Sequence, residues 1–228
     1  MFELDGKYIT ARYYARTVPW ISWCVYEMSY ASHSSVFYKT QSYITRLIDL
    51  QSDFETGYSK RLWYHIRKSE EAAVWIERPD RIPDLDTMYK PIQRSKKLNP
   101  LPPQAMESRP NYYYSVVHHP ALGRLAAHLT IGDPEEKRAF QFINASAYRS
   151  FSRNTDKQLC SSANKYLYYQ DMLFFRDLGY RYFDFVGTKE PMNQFKKQFG
   201  GDLVTTYYHI PYPILWFKAL RSRVINYF

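Results

Sequence analysis

The sequence Phe195-Lys196-Lys197-Gln198-Phe199-Gly200-Gly201 lies between a predicted strand at 180–186 and another near 203–210. Its phenylalanines are four residues apart and would hold the segment in a core. Lys196 would then project toward a cleft, while the glycine pair would let the backbone pass close to its neighbours. The segment therefore predicts a tight turn that is fixed by aromatic side chains and presents a lysine.

The second half of the chain alternates predicted strands with one long helix. Periodicity and turn residues predict strands at 125–131 and 138–147, a loop at 148–160 and a helix at about 162–178. Ser161 or Ser162 would cap this helix, and Gly179 would end it. This order predicts an α+β fold with a mixed sheet rather than a purely parallel one.

The first half has weaker patterns. Short aromatic and β-branched runs predict strands at 7–14, 22–28 and 35–39, a helix at about 52–71, a strand at 73–78 and a helix capped by Asp84 or Asp86.

The composition limits the class of partner. The chain has 228 residues, 31 of them basic and 22 acidic, which gives a formal charge of +9. Such a balance favours acidic partners: nucleic acid, a nucleotide-sugar, a coenzyme pyrophosphate, an acidic carrier protein or anionic lipid.

Neither a metal motif nor a targeting segment is recognisable. Cys24 and Cys160 share no metal-ligand spacing, and we expect reduced thiols, no metal and a cytoplasmic location. No apolar run reaches the roughly 18 residues of a membrane span, and the N-terminus lacks the features of a signal peptide. The amphipathic segment 213–225 could contact the inner face of a membrane or pack on its own domain.

Three sequence blocks occur in a recognisable order. They are Ile66-Arg67-Lys68-Ser69 at a helix end, the segment 163–187 with Leu178-Gly179-Tyr180 between helix and strand, and the FKxxFGG motif at 195–201. Together they resemble the GCN5-related N-acetyltransferase superfamily and, within it, the Fem-type enzymes that build peptidoglycan cross-bridges from aminoacyl-tRNA. The resemblance covers about 60–228.

The resemblance implies a mostly antiparallel sheet that is splayed at its centre and flanked by helices. It implies an abbreviated N-terminal α/β subdomain at 1–68 and an acyltransferase domain at 69–228. The implied reaction moves an acyl or aminoacyl group from a thioester or aminoacyl-tRNA to an amine on a cell-envelope sugar or amino acid. The acceptor would be linked to a nucleotide or a lipid.

The donor site departs from the superfamily pattern. Coenzyme-A-dependent members hold the pyrophosphate with a glycine-containing loop at a helix N-terminus. The corresponding segment here, 148–157, has no glycine, and Arg149, Arg153 and Lys157 would supply charge instead. This departure favours an acyl carrier protein as donor, whereas the superfamily as a whole favours acyl-CoA.

The resemblance also assigns roles to the basic residues of the two short motifs. Lys196 would lie near the reacting carbonyl, with Phe195 and Lys197 in the same donor-binding segment. Arg67 and Lys68 match positions near the phosphates of the acceptor, where a bidentate arginine suits a pyrophosphate. The competing interpretation of each is a solvated lysine or an ordinary basic helix end.

Three further side chains are catalytic candidates. Tyr148 ends the predicted hairpin where the substrates of the family meet, and its phenol could protonate a leaving group. Asp184 lies inside a predicted strand and could orient the acceptor amine or be a satisfied structural carboxylate. His119 lies in a probable loop before Pro120 and could accept the amine proton, although a surface role is commoner.

Two other classes of function remain open. Residues 58–68 interleave aromatic and basic side chains, as nucleic-acid-binding modules do. However, Leu62, Trp63 and Ile66 have helical spacing, which predicts a buried face. The third possibility is a non-catalytic relative that acts as a scaffold.

Overall fold

The structure is a computed structural model that describes residues 2–5, 10–32, 35–98, 100–101, 103–187 and 192–217. The chain divides into two compact units, one formed by 1–45 with 203–228 and the other by 46–202. These limits differ from the boundary at residue 68, which stays a prediction.

The described part of the first unit is built from strands. They are β1 (Phe2–Asp5), β2 (Thr10–Tyr13), β3 (Val25–Ser29), the first part of β4 (Tyr38–Asp49) and β10 (Asp202–Pro211). Their order is β1-β2-β3-β10-β4, with β2 and β3 parallel and β3 and β10 antiparallel. Residues 212–217 are helical. The strands predicted at 7–14, 22–28 and 35–39 correspond to β2, β3 and the start of β4, but residues 22–24 and 35–37 precede the observed strands and 7–9 lie outside the described residues.

The second unit is a sheet between helices. Its further strands are β5 (Trp75–Glu77), β6 (Tyr112–His119), β7 (Gly123–Asp133), β8 (Arg138–Ser146) and β9 (Tyr182–Asp184), and its helices are α1 (Lys60–Glu71), α2 (Leu85–Lys96), α3 (Asn154–Asp177) and α4 (Met192–Lys197). The strand order is β4-β9-β8-β7-β6-β5. Only the β8–β9 pair is parallel among these neighbours. The predicted α+β class with a mostly antiparallel sheet is confirmed.

Side chains alternate along β6 and β7, so each face of the sheet packs against a different layer of helices. Val116 and Leu129 pack in one apolar cluster with Leu85 of α2. Val117 and Ala126 point to the other face, where they pack with residues of α3. Helix α1 packs on α3, so the sheet carries α2 on one face and α1 with α3 on the other.

Several predicted element limits are wrong. Helix α3 begins at Asn154, so the predicted loop at 148–160 is mostly helix and Ser162 is a buried interior residue rather than a cap. The histidine pair 118–119 ends strand β6 instead of lying in a loop. The predicted helix at 52–71 is a short 3₁₀ turn followed by α1, which Ser59 caps by accepting from the Leu62 N–H at 3.1 Å.

Candidate active site

The sheet of the second unit opens between β8 and β9. The two strands pair over three positions only, from Arg138 opposite Tyr182 to Phe140 opposite Asp184. Strand β9 ends there, while β8 continues to Ser146. Within the described residues, the part of β8 beyond Phe140 has no strand partner on this side. On this side, the backbone groups of β8 beyond Phe140 therefore take no hydrogen-bond partner from a described strand.

Tyr168 of α3 spans the opening on the helical side. Its hydroxyl accepts a hydrogen bond from Nδ2 of Asn144 on β8 at 2.8 Å. Its ring lies 5.1 Å from the ring of Phe185, which directly follows β9. Tyr168 therefore connects both sides of the opening, and burial raises the pKa of its phenol.

Lys196 lies against the backbone that leaves β9. Its side chain is 5% exposed, and Nζ donates to the carbonyl oxygens of Val186 and Gly187. Burial lowers the pKa of Lys196 to about 8, with Asp184 raising it and Arg46 lowering it. The ammonium form thus predominates at neutral pH. Because an ammonium carries three donors, one N–H is left after the two contacts that this lysine makes within the described residues.

The aromatic residues of the FKxxFGG motif fix this lysine. Phe199 is fully buried, and its ring lies 5.6 Å from that of Phe195 and 5.7 Å from that of Tyr168. The prediction that the two phenylalanines hold the segment in a core is confirmed. Phe195 thus packs in the aromatic cluster that holds the Lys196 segment in place. Lys197, the next residue of α4, is exposed.

The glycine pair fits a site with no space for side chains. Gly200 and Gly201 have φ of +74° and +75°. A Cβ on Gly201 would lie 2.3 Å from Cδ1 of Ile48 and 2.5 Å from the carbonyl oxygen of Leu47. Arg46 of β4 donates to the carbonyl oxygens of both glycines, at 3.0 and 2.8 Å. The predicted close approach of backbones is confirmed.

Asp184 forms a buried ion pair beside the opening. It is fully buried and accepts from Nε of Arg138 at 3.1 Å and from the second guanidinium nitrogen of the same side chain. The backbone N–H of Val186 donates to its other oxygen at 2.8 Å. With these contacts the Asp184 carboxylate fixes the end of β9. They favour the structural role for Asp184 over the orientation of an acceptor amine.

Tyr148, Arg149 and Arg153 lie between the end of β8 and the start of α3. Tyr148 is 42% exposed, and Arg149 lies in a short 3₁₀ turn, Ala147–Ser150, that follows β8 directly. Arg153 precedes the first turn of α3, has no side-chain capping bond and pairs with Asp156 at 2.8 Å. These side chains thus lie at the end of β8 toward which the sheet opens.

The remaining predicted residues lie elsewhere on the second unit. Arg67 is exposed on α1, and Nζ of Lys68 lies 5.9 Å from the centre of the Tyr64 ring. His119 accepts from the backbone N–H groups of the turn between β6 and β7 through Nδ1. That turn lies at the same end of the sheet as Ser146, separated from β8 by β7.

Sequence reasoning missed the residues that hold this site together. Arg46, Arg138 and Tyr168 were not singled out, because each lies in an element whose spacing gives no sign of a partner distant in sequence. The available signal was Arg138 at the start of the strand predicted at 138–147. An arginine is rarely buried unless it is paired, so an arginine in a buried strand indicates an acidic partner.

Two basic residues, half-buried His65 and buried Lys165, lie between α1 and α3. Nδ1 of His65 is 2.8 Å from Oγ of Ser162, and burial lowers the pKa of His65 to about 4. Burial likewise lowers the pKa of Lys165 to about 8. The neutral form of His65 at pH 7 fits its basic surroundings, since nearby cations disfavour a further positive charge.

Within the described ranges, no group of three or more His, Cys, Asp or Glu side chains could hold a metal ion. No helix in the same ranges is long and apolar enough to cross a bilayer. Both cysteines are free thiols.

Comparison with known proteins gives structural but not sequence matches. No family model and no curated protein matches the sequence. The crystal structure of FemX matches with a TM-score of 0.56 and 12% identity, over 74% of this chain and 61% of that chain. The C-terminal domain of a putative lysylphosphatidylglycerol synthetase from Agrobacterium fabrum matches with a TM-score of 0.56 and 12% identity, over 82% of this chain and 67% of that chain.

A third structure shares the same arrangement. The L-PGS of Bacillus licheniformis has a TM-score of 0.55 and 10% identity, over 90% of this chain and 74% of that chain. The chain thus has the fold of the GCN5-related N-acetyltransferase type seen in FemX, as predicted. It spans about three fifths of the length of the matched FemX chain.

Proposed function

We propose that this chain transfers an acyl or aminoacyl group from a thioester or aminoacyl-tRNA to an amine on a cell-envelope sugar or amino acid. The observation that supports this most is the opening between β8 and β9 with the buried ammonium of Lys196 at its edge. An opening of this kind can admit an extended donor, and a fixed positive charge beside it suits a reaction that develops negative charge.

The chemistry requires little covalent help from the protein. The amine nitrogen attacks the carbonyl carbon, the carbonyl becomes a tetrahedral oxyanion, and the C–S or C–O bond to the donor then breaks. The free N–H of Lys196 would stabilise the oxyanion, and one such donor contributes about 2.7–4 kcal/mol to the barrier reduction. The nitrogen loses a proton to water, the leaving group gains one from exposed Tyr148, and the resulting phenolate regains a proton from solvent.

The donor would extend along β8 toward α3. Arg149 and Arg153 lie at the N-terminus of this 24-residue helix, where backbone N–H groups favour anions. The lack of glycine in 148–157 supports a donor held by arginine side chains rather than by a backbone nest. Acyl-CoA, an acyl carrier protein and aminoacyl-tRNA all carry the required phosphates.

The acceptor side is assigned to α1. Arg67 and Lys68 are accessible cations near the C-terminal end of this helix and would hold the phosphates of a nucleotide- or lipid-linked acceptor. A cytoplasmic location, at the inner face of the membrane for a lipid-linked acceptor, follows from that assignment. Asp184 would act as a positioning residue: its ion pair with Arg138 would hold the end of β9, and hence the edge of the opening, in place.

The test is transfer catalysed by the purified chain with acetyl-CoA, an acetylated acyl carrier protein and aminoacyl-tRNA, each with amine acceptors. Mass spectrometry would detect the amide product. Lys196→Met keeps the volume but removes the charge, and we expect turnover to fall by about 100-fold or more. The matched control is Lys60→Met, an exposed lysine at the start of α1, which should leave turnover unchanged.

Two results would count against the proposal. The first is a folded wild-type chain that transfers nothing from any of the three donors. The second is a Lys196→Met variant as active as Lys60→Met, which would remove Lys196 from the site while leaving transfer itself intact.

A further inference from the structure

The first unit exposes a cluster of large apolar side chains. Trp20, Ile21 and Trp23 lie on one loop, with Trp20 79% exposed. Trp216 and Phe217 lie on the helical stretch after β10 and are 68% and 67% exposed. So large a group of exposed tryptophans and neighbouring apolar side chains indicates an interaction surface rather than scattered surface residues.

The two segments meet in an apolar groove. It has a volume of about 510 Å³ and lies between Trp20, Ile21, Val36, Phe37, Tyr212 and Trp216. Val36 is 91% exposed at its edge. We call this groove with Trp23 and Phe217 the aromatic surface.

The charge around the aromatic surface has one sign. Residues 16–23, 35–40 and 212–217 contain Arg16 and Lys39 and no Asp or Glu. Residues 218–228 lie outside the described residues, and their sequence contains Lys218, Arg221 and Arg223 and no acidic residue. A second copy of the same basic face would be repelled, whereas anionic lipid headgroups would be attracted.

We propose that the aromatic surface docks the chain on a lipid bilayer with anionic headgroups. Tryptophan and tyrosine partition to the interface between headgroups and acyl chains, because their rings are apolar and their N–H and O–H groups remain hydrated. The groove accommodates lipid hydrocarbon, and the flanking cations contact phosphates. The chain binds the surface without spanning it.

The test is sedimentation of the full chain with vesicles of phosphatidylcholine and phosphatidylglycerol in equal amounts. We expect the wild type to bind these vesicles and to bind pure phosphatidylcholine more weakly. The double variant Trp20→Ala, Trp216→Ala should bind the mixed vesicles at least about tenfold more weakly, because it lacks two aromatic side chains that would enter the bilayer interface. Brominated phosphatidylglycerol should quench tryptophan fluorescence in the wild type.

The matched control is Trp75→Ala, which removes an exposed tryptophan of β5 in the other unit and should bind like the wild type. Three outcomes overturn the proposal. They are a wild type that binds neither vesicle, a double variant that binds as tightly as Trp75→Ala, and a dimer in light scattering that the double variant abolishes while vesicles are not bound. The last outcome would identify a second copy as the occupant.

Discussion

Gly201 lies where β4 passes the FKxxFGG motif and has no space for a methyl group. Gly201→Ala combines a φ of +75° with contacts to Ile48 and Leu47 closer than 3 Å. We expect it to lower the free energy of unfolding by roughly 2–5 kcal/mol, from backbone strain and overpacking together. Urea unfolding measures the loss.

Gly123 provides the matched control for this substitution. Its φ is +69°, but nothing lies within 4 Å of a Cβ built there. Gly123→Ala should therefore cost only the backbone strain, about 1–2 kcal/mol. Equal losses for the two variants would contradict the close approach at Gly201.

Lys196 should make turnover depend on pH. Because burial lowers the pKa of Lys196 to about 8, its charge is present below that pH and lost as the pH rises through it. We expect kcat/KM of the wild type to fall above pH about 8. Lys196→Arg should be slower but lack this alkaline decline, since arginine stays protonated to roughly pH 12.

The alkaline decline separates a charge effect from loss of structure. Circular dichroism across the same range would establish that both proteins stay folded. A decline of the same shape in Lys196→Arg would assign the titration to another group.

At the scale of single residues, the sequence predicts what a local motif encodes. The FKxxFGG spacing predicts the core position of Phe199 and the close approach of Gly201, and both are confirmed. The partners Arg46 and Arg138 were not predictable, because their bonds to Gly200 and Asp184 join residues 154 and 46 positions apart.

At the scale of elements, one carboxylate joins α3 to the sheet. Asp171 lies 2.7 Å from Nδ1 of His128 and 2.8 Å from a guanidinium nitrogen of Arg78, and it accepts from Oγ of Ser115 at 3.0 Å. Burial alone would raise the pKa of Asp171, but His128 and Arg78 outweigh it and hold the pKa below its usual value.

Asp171→Asn should therefore destabilise the chain strongly. The variant leaves buried His128 and half-buried Arg78 without a charged partner, and we expect about 3–5 kcal/mol less stability at neutral pH. A carboxylate whose folded pKa is lowered stabilises above the unfolded pKa of about 3.9, and this contribution is lost as the pH falls through the folded value. The difference from the wild type should narrow in acid.

Asp86 of α2 supplies the control for charge removal alone. It pairs with Lys90 at the surface, at 2.7 Å, and Asp86→Asn should cost no more than about 0.5 kcal/mol. Thermal or urea unfolding from pH 3 to 7 compares the two. A loss that is equally small for Asp171→Asn would contradict the buried network.

Element limits were predicted less well than element order. The first turn of α3 is polar and largely exposed, so Asn154, Thr155 and Asp156 have the local pattern of a loop although they belong to the helix. Strand β6 is absent from the predicted elements, because its start has three consecutive tyrosines without clear alternation. In both cases packing against the sheet, rather than local propensity, decides the structure.

At the scale of the whole molecule, the aromatic content and the charge have separate explanations. Leu62 and Ile66 are buried in the second unit and Trp63 packs partly buried against the same cluster, which confirms the predicted buried face of α1 and weakens the nucleic-acid interpretation of 58–68. The excess of nine positive charges remains available for acidic donors, acceptors or lipid. The general fold followed from the order of three sequence blocks, whereas substrates cannot be deduced from a fold.

Amide hydrogen exchange, measured with and without each donor, tests the opening between β8 and β9 most directly. In the free protein we expect faster exchange at those amides of 141–146 that point away from β7, because no described strand pairs with that side of β8 beyond Phe140. The productive donor should slow exchange at these amides and leave the buried β6–β7 pair unchanged. Protection confined to other segments, or an absence of protection with all three donors, would contradict the opening as the site of transfer.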